Sequence, residues 1–501
     1  MNQKTIKNSA TISGVGIHTG VHTNLTFVPA KANSGIRFIR TDLEGKPTIP
    51  ANVDYVFSTN RSTNLTLVPA EANTGIRFIR TDLEGKPTIP ANVDYVFSTN
   101  RSTNLKNKNA EVHTVEHVLA SIVAEGIDNI IIEVDNMEVP ILDGSSIQFS
   151  ELISEVGIQE LNERKKFFEI KRKICFTDPE SGTTFTAIPA DNYQIEVEID
   201  YNSTVLGIQT ATLEDLSEFK GNIASSRTFC FLHELEELLK NKLIKGGDVN
   251  NAIVIVEEEI SDEKLNALAK AFNKTDIKVE EGGVLNNLKL RHKNEPARHK
   301  LLDVIGDLSL LGLPIKGKIT ASKPGHKNNT KFAKYLKNIM MEDNKKTPPE
   351  IDFNTPPLYD RKKIMSILPH RDPFLFIDEI RDLGKDFIIG TKFVNANEDY
   401  FKGHFPGEPV MPGVLQLETM AQAGGVLILS TVENPENYLT FFMKIDNAKF
   451  KQKVVPGDTI IFRLNLISPI RRGLCHMHGK GFVNGKIVVE ADLLAQIAPK
   501  K

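Results

Sequence analysis

Cysteine is scarce in this sequence: Cys175, Cys230 and Cys475 are the three in 501 positions, and they stand far apart. That spacing fits neither a disulfide framework nor a cysteine-rich zinc module and suits a reducing compartment, so a cytoplasmic protein is expected. An uninterrupted apolar run is missing too. The most apolar stretch, 413–432, carries Gln416, Glu418 and Gln422, which predicts a buried helix and no integral membrane segment. The first ten residues lack an apolar core, so export is not expected. Neither sign of charge dominates, with 61 Lys and Arg against 64 Asp and Glu, and a net charge of -3 gives no global case for nucleic acid or an anionic membrane. What is present, 40% hydrophobic and 25% charged residues, describes a globular protein long enough for about three domains.

The chain repeats itself. Residues 23–62 recur as 63–102, differing only at Phe27/Leu67, Lys31/Glu71 and Ser34/Thr74. A period of 40 residues suggests a solenoid, but two near-identical copies without diverged caps do not make one. Each copy holds strand-like runs, Leu25 to Val28 and Ile36 to Arg40 in the first, and a turn signal at Glu44-Gly45-Lys46-Pro47. Both copies therefore suit the same strands. A recent tandem duplication or an error of sequence assembly is expected, with the surplus copy looped out at little extra closure entropy.

Beyond the repeat, 112–124 is helical in pattern and 127–134 reads as a buried strand. A second unit starts near Phe167, with the alternating Gln194 to Ile199, a helical Phe231 to Lys242 and a helix from Pro296 to Leu311. Residues 340–357 are polar and proline-rich, as linkers are. From Tyr359 the pattern runs through a short helix, strands, the apolar helix at 413–432 and more strands, with a hairpin signal at Asn484-Gly485. The expected class is α+β, in domains 1–165, 166–339 and 358–501 with a linker at 340–357.

The first chemical signal is His113-Thr114-Val115-Glu116-His117, read as two imidazoles at i and i+4 on one helical face with a carboxylate between. Alone, the pentad has the H-x-x-E-H form of inverzincin peptidases. A second i, i+4 pair, His299 and Asp303, changes the balance. A catalytic zinc takes three protein ligands and an open position for water, and one histidine of the first helix with His299 and Asp303 makes that set. Asp307, one turn on, is placed to orient a further histidine, for which His326 after Gly325 is the candidate. The Gly14-Val15-Gly16 cluster lacks a Walker lysine-serine pair and is not read as a phosphate loop.

At these residues the first half resembles UDP-3-O-acyl-N-acetylglucosamine deacetylase, a zinc enzyme of lipid A synthesis. The resemblance spans the domain pair and rests on Ser13-Gly14-Val15-Gly16-Ile17-His18-Thr19-Gly20, Thr114-Val115-Glu116-His117, Val139-Pro140-Ile141-Leu142-Asp143-Gly144-Ser145, Ser226-Arg227-Thr228-Phe229, the segment from His299 to Asp307, and Lys323 to His326, in the family's order. It implies two sheet-plus-helices domains in a two-layer sandwich, a UDP-sugar lipid substrate, Zn2+ held by His117, His299 and Asp303, and Glu116 as general base. His113 falls where the family has a smaller polar residue and is left out. Thr228 is then expected to steady the oxyanion, and His326, kept cationic by Asp307, to protonate the leaving amine. Lys300 is expected to face phosphate or sugar oxygens, and Phe229 with Phe231 to line an acyl passage.

Downstream, Gly403-His404-Phe405-Pro406-Gly407 precedes Met411-Pro412-Gly413-Val414-Leu415-Gln416-Leu417-Glu418-Thr419-Met420-Ala421-Gln422. With Ile367-Leu368-Pro369-His370-Arg371-Asp372-Pro373-Phe374, this resembles the 3-hydroxyacyl-[acyl-carrier-protein] dehydratases almost to the C-terminus. Dehydration needs a base for the C2 proton, which His404 suits, and an acid for the hydroxyl, which Glu418 on an apolar helix suits because desolvation raises its pKa. The Gly413 N–H at the helix start is placed to polarise the thioester carbonyl. The resemblance further implies a hot-dog fold without a cofactor, acyl carrier protein as donor, and a homo-oligomer, a dimer or trimer of dimers, in which His and Glu come from opposite protomers. Arg371, Lys451, Arg471 and Arg472 are candidates to meet the acidic carrier. Two other readings stay open: a deacetylase half disabled by the duplication and kept as a scaffold, or a zinc peptidase joined to a hot-dog thioesterase.

Overall fold

The computed structural model describes residues 1–14, 63–234, 251–258, 260–271, 277–279, 283–285 and 289–500. The chain divides into two units, Met1–Asn338 and Ile339–Lys501. The first begins with β1 (Asn2–Ile6), β2 (Ala10–Gly14), β3 (Thr63–Pro69), β4 (Ile76–Arg80), β5 (Thr88–Pro90), β6 (Val96–Ser98), β7 (Asn104–Asn107), β8 (Ala110–Val112), α1 (Glu116–Ala124), β9 (Ile130–Val134), α2 (Ile147–Val156) and β10 (Ile158–Arg164). Five of them form a sheet in the order β2-β3-β9-β4-β5. The second copy of the repeat thus supplies β3 to β6, with Leu65, Leu67, Phe78 and Ile89 fully buried. The first copy lies outside the described residues.

The unit continues with β11 (Phe168–Glu169), β12 (Ile174–Thr177), β13 (Thr184–Ile188), β14 (Tyr193–Ile199), β15 (Gln209–Leu213), α3 (Phe219–Asn222), β16 (Phe229–Phe231), β17 (Ile253–Ile255), α4 (Asp262–Ala271), α5 (Glu295–Ser309), β18 (Ile315–Ser322) and α6 (His326–Lys346). A second sheet runs β12-β13-β18-β14-β15. In β14 the predicted alternation holds, with Ile195, Val197 and Ile199 buried. Pro296 opens α5 where its missing N–H costs nothing, and α5 packs against β14, β15 and α1.

Three local expectations are corrected. Helix α1 starts at Glu116, not Val112: Thr114 adopts a left-handed φ of 58° and His113 bridges Glu138, so His113 and His117 do not share a helical face. Phe231 ends a strand and the helix begins one residue later than expected, at Leu232; 235–242 of that expected helix lie outside the described residues. The stretch read as linker from Met340 is still helical to Lys346, because nothing before Pro348 interrupts α6.

The second unit contains α7 (Arg361–Ile367), β19 (Glu379–Leu383), β20 (Phe387–Phe393), α8 (Gly413–Leu429), β21 (Tyr438–Phe450), β22 (Thr459–Leu466), β23 (Leu474–Val483) and β24 (Lys486–Pro499). Its strands form one antiparallel sheet, β19-β20-β22-β23-β24-β21, and α8 lies on it. Asn484 and Gly485, at φ of 47° and 78°, make the predicted two-residue turn between β23 and β24. Met420, Ala423 and Leu427 of α8 are buried with Phe462, Leu464 and Val489 of the sheet. The class is α+β, and among the described residues no helix is long and apolar enough to cross a membrane.

Candidate active sites

The start of α1 is set by what precedes it. The Thr114 N–H donates to Asn104 Oδ1 (3.2 Å) and its hydroxyl to Glu138 Oε1 (3.1 Å), and the chain then enters the helix at Glu116. Glu116 and His117 are buried in the first turn. Opposite, α5 carries His299, Asp303 and Asp307 at intervals of four on one buried face. The two helices cross at Gly306, where a Cβ would lie 2.1 Å from the Glu116 carbonyl oxygen, so only glycine lets the backbones meet.

That crossing gathers two groups of side chains. Potential ligand atoms of His117, His299 and Asp303 lie within 4.8 Å of one another, as do those of Glu116, Asp307 and His326. His117 Nε2 and His299 Nε2 stand 3.7 and 3.5 Å from Asp303 Oδ1, a buried oxygen without a hydrogen-bond partner. His299 Nδ1–H donates to the Ser226 carbonyl (3.1 Å), which leaves the Nε2 lone pair free. Burial lowers both imidazoles, His117 to about 3, so the rings are neutral. Burial opposes ionisation of Asp303, but Lys300, 2.7 Å from Oδ2, and the cationic His326 hold the carboxyl well below the usual range.

His326 opens α6, and its Nδ1–H donates to Asp307 Oδ2 (3.0 Å). Its Nε2 stands 4.0 Å from Glu116 Oε1 and 3.8 Å from Asp303 Oδ2. Burial would discharge this ring, but Asp307, Asp303 and Glu116 outweigh it and keep the imidazolium. Burial raises Glu116 against the pull of His326.

The β16 segment closes the site. Arg227 Nε donates to Glu295 Oε1 at the head of α5 (2.8 Å), fixing the chain just before the half-buried Thr228, whose own N–H donates to the Gly144 carbonyl (2.8 Å). Phe229 lies edge-on to His299, with ring centres 6.5 Å apart, and Tyr201 packs edge-on against both Phe229 and Phe231. The Lys300 ammonium sits 5.6 Å from the Phe229 ring and is bonded to Asp303. His113 stands apart, 3.2 Å from Glu111 and tilted on Phe97.

In the second unit, Pro412 precedes Gly413, the first residue of α8, and a Cβ on Gly413 would meet the Phe450 ring at 2.8 Å. Glu418 and Gln422 follow one turn apart. Gln422 Nε2 donates to Glu418 Oε1 (2.9 Å) and the Phe374 carbonyl (2.8 Å), and its Oε1 accepts from the Phe376 N–H (2.8 Å). His370 Nε2 is 3.6 Å from Glu418 Oε1, and both line a cavity of about 180 Å³ walled by Leu464, Met477 and Leu493. His404 does not line it. Its Nδ1–H donates to the Val410 carbonyl (2.8 Å), leaving Nε2 as the basic nitrogen, and among the described residues no bond joins it to Glu418.

Comparison with known proteins matches both units. The family model for UDP-3-O-acyl N-acetylglycosamine deacetylase matches residues 3–66, 60–272 and 266–338, and that for a FabA-like domain matches 368–492. The Bifunctional enzyme LpxC/FabZ of Bacteroides thetaiotaomicron is 44% identical over 100% of both chains, and that of Porphyromonas gingivalis is 42% identical over 100% of this chain and 99% of its own. The chain belongs to the bifunctional LpxC/FabZ family. A stand-alone relative, the UDP-3-O-acyl-N-acetylglucosamine deacetylase of Myxococcus xanthus, is 33% identical over 66% of this chain and 85% of its own.

Four residues without a sequence-based role lie beside these candidate sites. Gln422 is one helical turn beyond Glu418, a spacing that could have flagged it, and His370 lies in the Leu-Pro-His-Arg run. Thr103 and Asn329 carry no spacing signal. Asn329 Nδ2 donates to Asp307 Oδ2 (2.8 Å), and Thr103 bonds to both Glu116 and Asp307.

Proposed function

We propose that this bifunctional deacetylase and dehydratase divides its activities between its two units, zinc-dependent removal of the N-acetyl group of a UDP-3-O-(3-hydroxyacyl)-N-acetylglucosamine falling to the first. His117, His299 and Asp303 hold the ion, a fit supported by two neutral imidazoles and the orphaned Asp303 Oδ1 between them. Bound zinc supplies Lewis acidity and lowers the pKa of a water molecule to about 7. Glu116 takes the proton of the attacking water, and the Thr228 hydroxyl donates to the oxyanion. His326, held by Asp307, gives its Nε2 proton to the leaving amine. Lys300 meets substrate oxygens from the site's edge, and Phe229 and Phe231 line the acyl passage. The observation that carries this reading is the convergence of Glu116, His117, His299, Asp303, Asp307 and His326 in one buried cluster. A scaffold disabled by duplication fits less well, since the second copy fills the strands of the first sheet.

In the second unit, read as a hot-dog fold, His404 Nε2 removes the C2 proton of a 3-hydroxyacyl thioester, Glu418 protonates the departing hydroxyl, and the Gly413 N–H polarises the carbonyl. Edge strand β21 exposes Phe441, Phe442, Met443 and Ile445, and His404 does not line its own chain's cavity. Both observations support a homodimer in which a second copy brings His404 to Glu418; the assembly of three such dimers rests on the family resemblance alone. Acyl carrier protein is the donor, met by Arg371, Lys451, Arg471 and Arg472. Three free thiols suit a cytoplasmic enzyme.

Two assays test these assignments. Chelation should abolish deacetylation and leave dehydration intact, with zinc restoring the first, and Glu116→Ala should lower deacetylation by about 100-fold or more. An unchanged rate in that variant removes Glu116 as the base. Co-expressed His404→Ala and Glu418→Gln chains, each inactive alone, should recover dehydration by pairing; no recovery means that the sites do not span two chains.

A further inference from the structure

We propose that Thr103 is a positioning residue that fastens Glu116 and the Asp307–His326 pair into one acid-base unit. Thr103 is fully buried, in the segment that enters β7, thirteen residues before Glu116 in the chain and 204 before Asp307. Its backbone N–H donates to Glu116 Oε2 at 3.0 Å, and its hydroxyl donates to Asp307 Oδ1. The same hydroxyl oxygen stands 3.3 Å from His326 Nδ1.

These bonds divide the acceptors without overlap. On Asp307, Oδ1 takes the Thr103 hydroxyl while Oδ2 takes His326 and Asn329, so the carboxylate cannot rotate without breaking a bond on each side. A fixed Asp307 fixes the imidazole ring, whose Nε2 then points at the space between Glu116 Oε1 and Asp303 Oδ2. On Glu116, the Thr103 N–H occupies Oε2 and leaves Oε1 on the side of His326. One residue therefore sets which oxygen of the base and which nitrogen of the acid face the reacting centre. All of this lies in a water-poor interior, where a free Asp307 oxygen would be costly to leave unpaired.

The inference rests on the reading of Glu116 and His326 as the acid-base groups. Thr103→Val keeps the volume and the backbone N–H but removes the hydroxyl, and Thr103→Ser restores it. Misplacement on the scale of an ångström costs up to about a hundredfold in rate, so kcat for deacetylation should fall ten- to a hundredfold in Thr103→Val, with KM and zinc per chain unchanged. Thr103→Ser should return to within about threefold of the parent. In an Asp307→Asn background, Thr103→Val should cost less than threefold further, because the bond it removes is already impaired. A parental kcat in Thr103→Val, a serine variant as slow as the valine one, or the full loss repeated in the Asp307→Asn background would each overturn the proposal. Thr103→Ala carries the same test if the valine chain does not fold. If Glu116→Ala leaves the rate unchanged, the acid-base reading itself fails; if it abolishes the rate while Thr103→Val does not, only the role of Thr103 is lost.

Discussion

Replacing Gly306 with alanine sets two effects of opposite sign against each other. In the interior of an isolated helix, glycine to alanine stabilises by about 1 kcal/mol. In α5, however, the new Cβ would lie 2.1 Å from the Glu116 carbonyl oxygen and 2.8 and 2.9 Å from its carbonyl carbon and Cα. These are backbone atoms, unable to swing aside as a side chain would, so α1 and α5 must separate by roughly an ångström. Overpacking of this kind costs about 1–3 kcal/mol, enough to cancel or reverse the gain in helix propensity. The larger consequence is chemical. Glu116 and His117 ride on α1 while His299, Asp303 and Asp307 ride on α5, and an ångström between them is worth about a hundredfold in rate. Gly306→Ala should therefore lower deacetylation about a hundredfold and weaken zinc retention, with its melting temperature no higher than the parent's. Dehydration by the same chain is the internal control and should not change. Parental deacetylation with a raised melting temperature, the outcome helix propensity alone foresees, would refute the crossing argument.

A chain lacking residues 23–62 keeps every strand that the second copy supplies and should deacetylate within about twofold of the parent; a large loss would show that the first copy has a role. Glu133, buried on β9 with Oε1 unpartnered, is raised by burial from 4.5 to about 7 despite Lys86. The folded state thus holds a proton that the unfolded chain releases across that window, and stability falls as pH rises through it. Glu133→Gln should raise the melting temperature at pH 8, by up to about 3 kcal/mol of stability, and give no gain at pH 4; equal melts at both values would count against the shift. Gln422→Leu removes the amide donor to Glu418 and strands the buried Phe376 N–H, worth about 1–3 kcal/mol, so dehydration should fall at least tenfold with deacetylation intact. An unchanged dehydration rate would exclude Gln422 from the site.

What the sequence made legible is what depends on neighbours along the chain. His299, Asp303 and Asp307 share a face because a helix repeats every 3.6 residues, whatever surrounds it. His113 and His117 have the same spacing but no shared face, because Thr114 is turned left-handed by bonds to Asn104 and Glu138, which lie outside the pentad. Gly306 reads locally as a weak helix residue, and its meaning comes only from the Glu116 backbone crossing it. Thr103 and Asn329 were illegible for the same reason, since each acts on a carboxylate from a distant segment.

The repeat presents the converse case, in which local sequence is nearly silent and connectivity decides. The copies differ at three places, and none separates them: Leu67 is buried at a position where the other copy offers Phe, position 71 is exposed and takes either charge, and the bond of the Thr74 hydroxyl to the Glu71 carbonyl is one that a serine hydroxyl makes equally. Seating the second copy leaves residues 15–62 between β2 and β3, an antiparallel pair whose connection can lengthen at small entropic cost. Seating the first would put forty extra residues between β6 and β7, next to buried Thr103 and its bonds to Glu116 and Asp307. With the second copy in the strands, β6 runs directly on to Thr103 and β7, so the bonds that tie Thr103 to Glu116 and Asp307 belong to an uninterrupted stretch of chain.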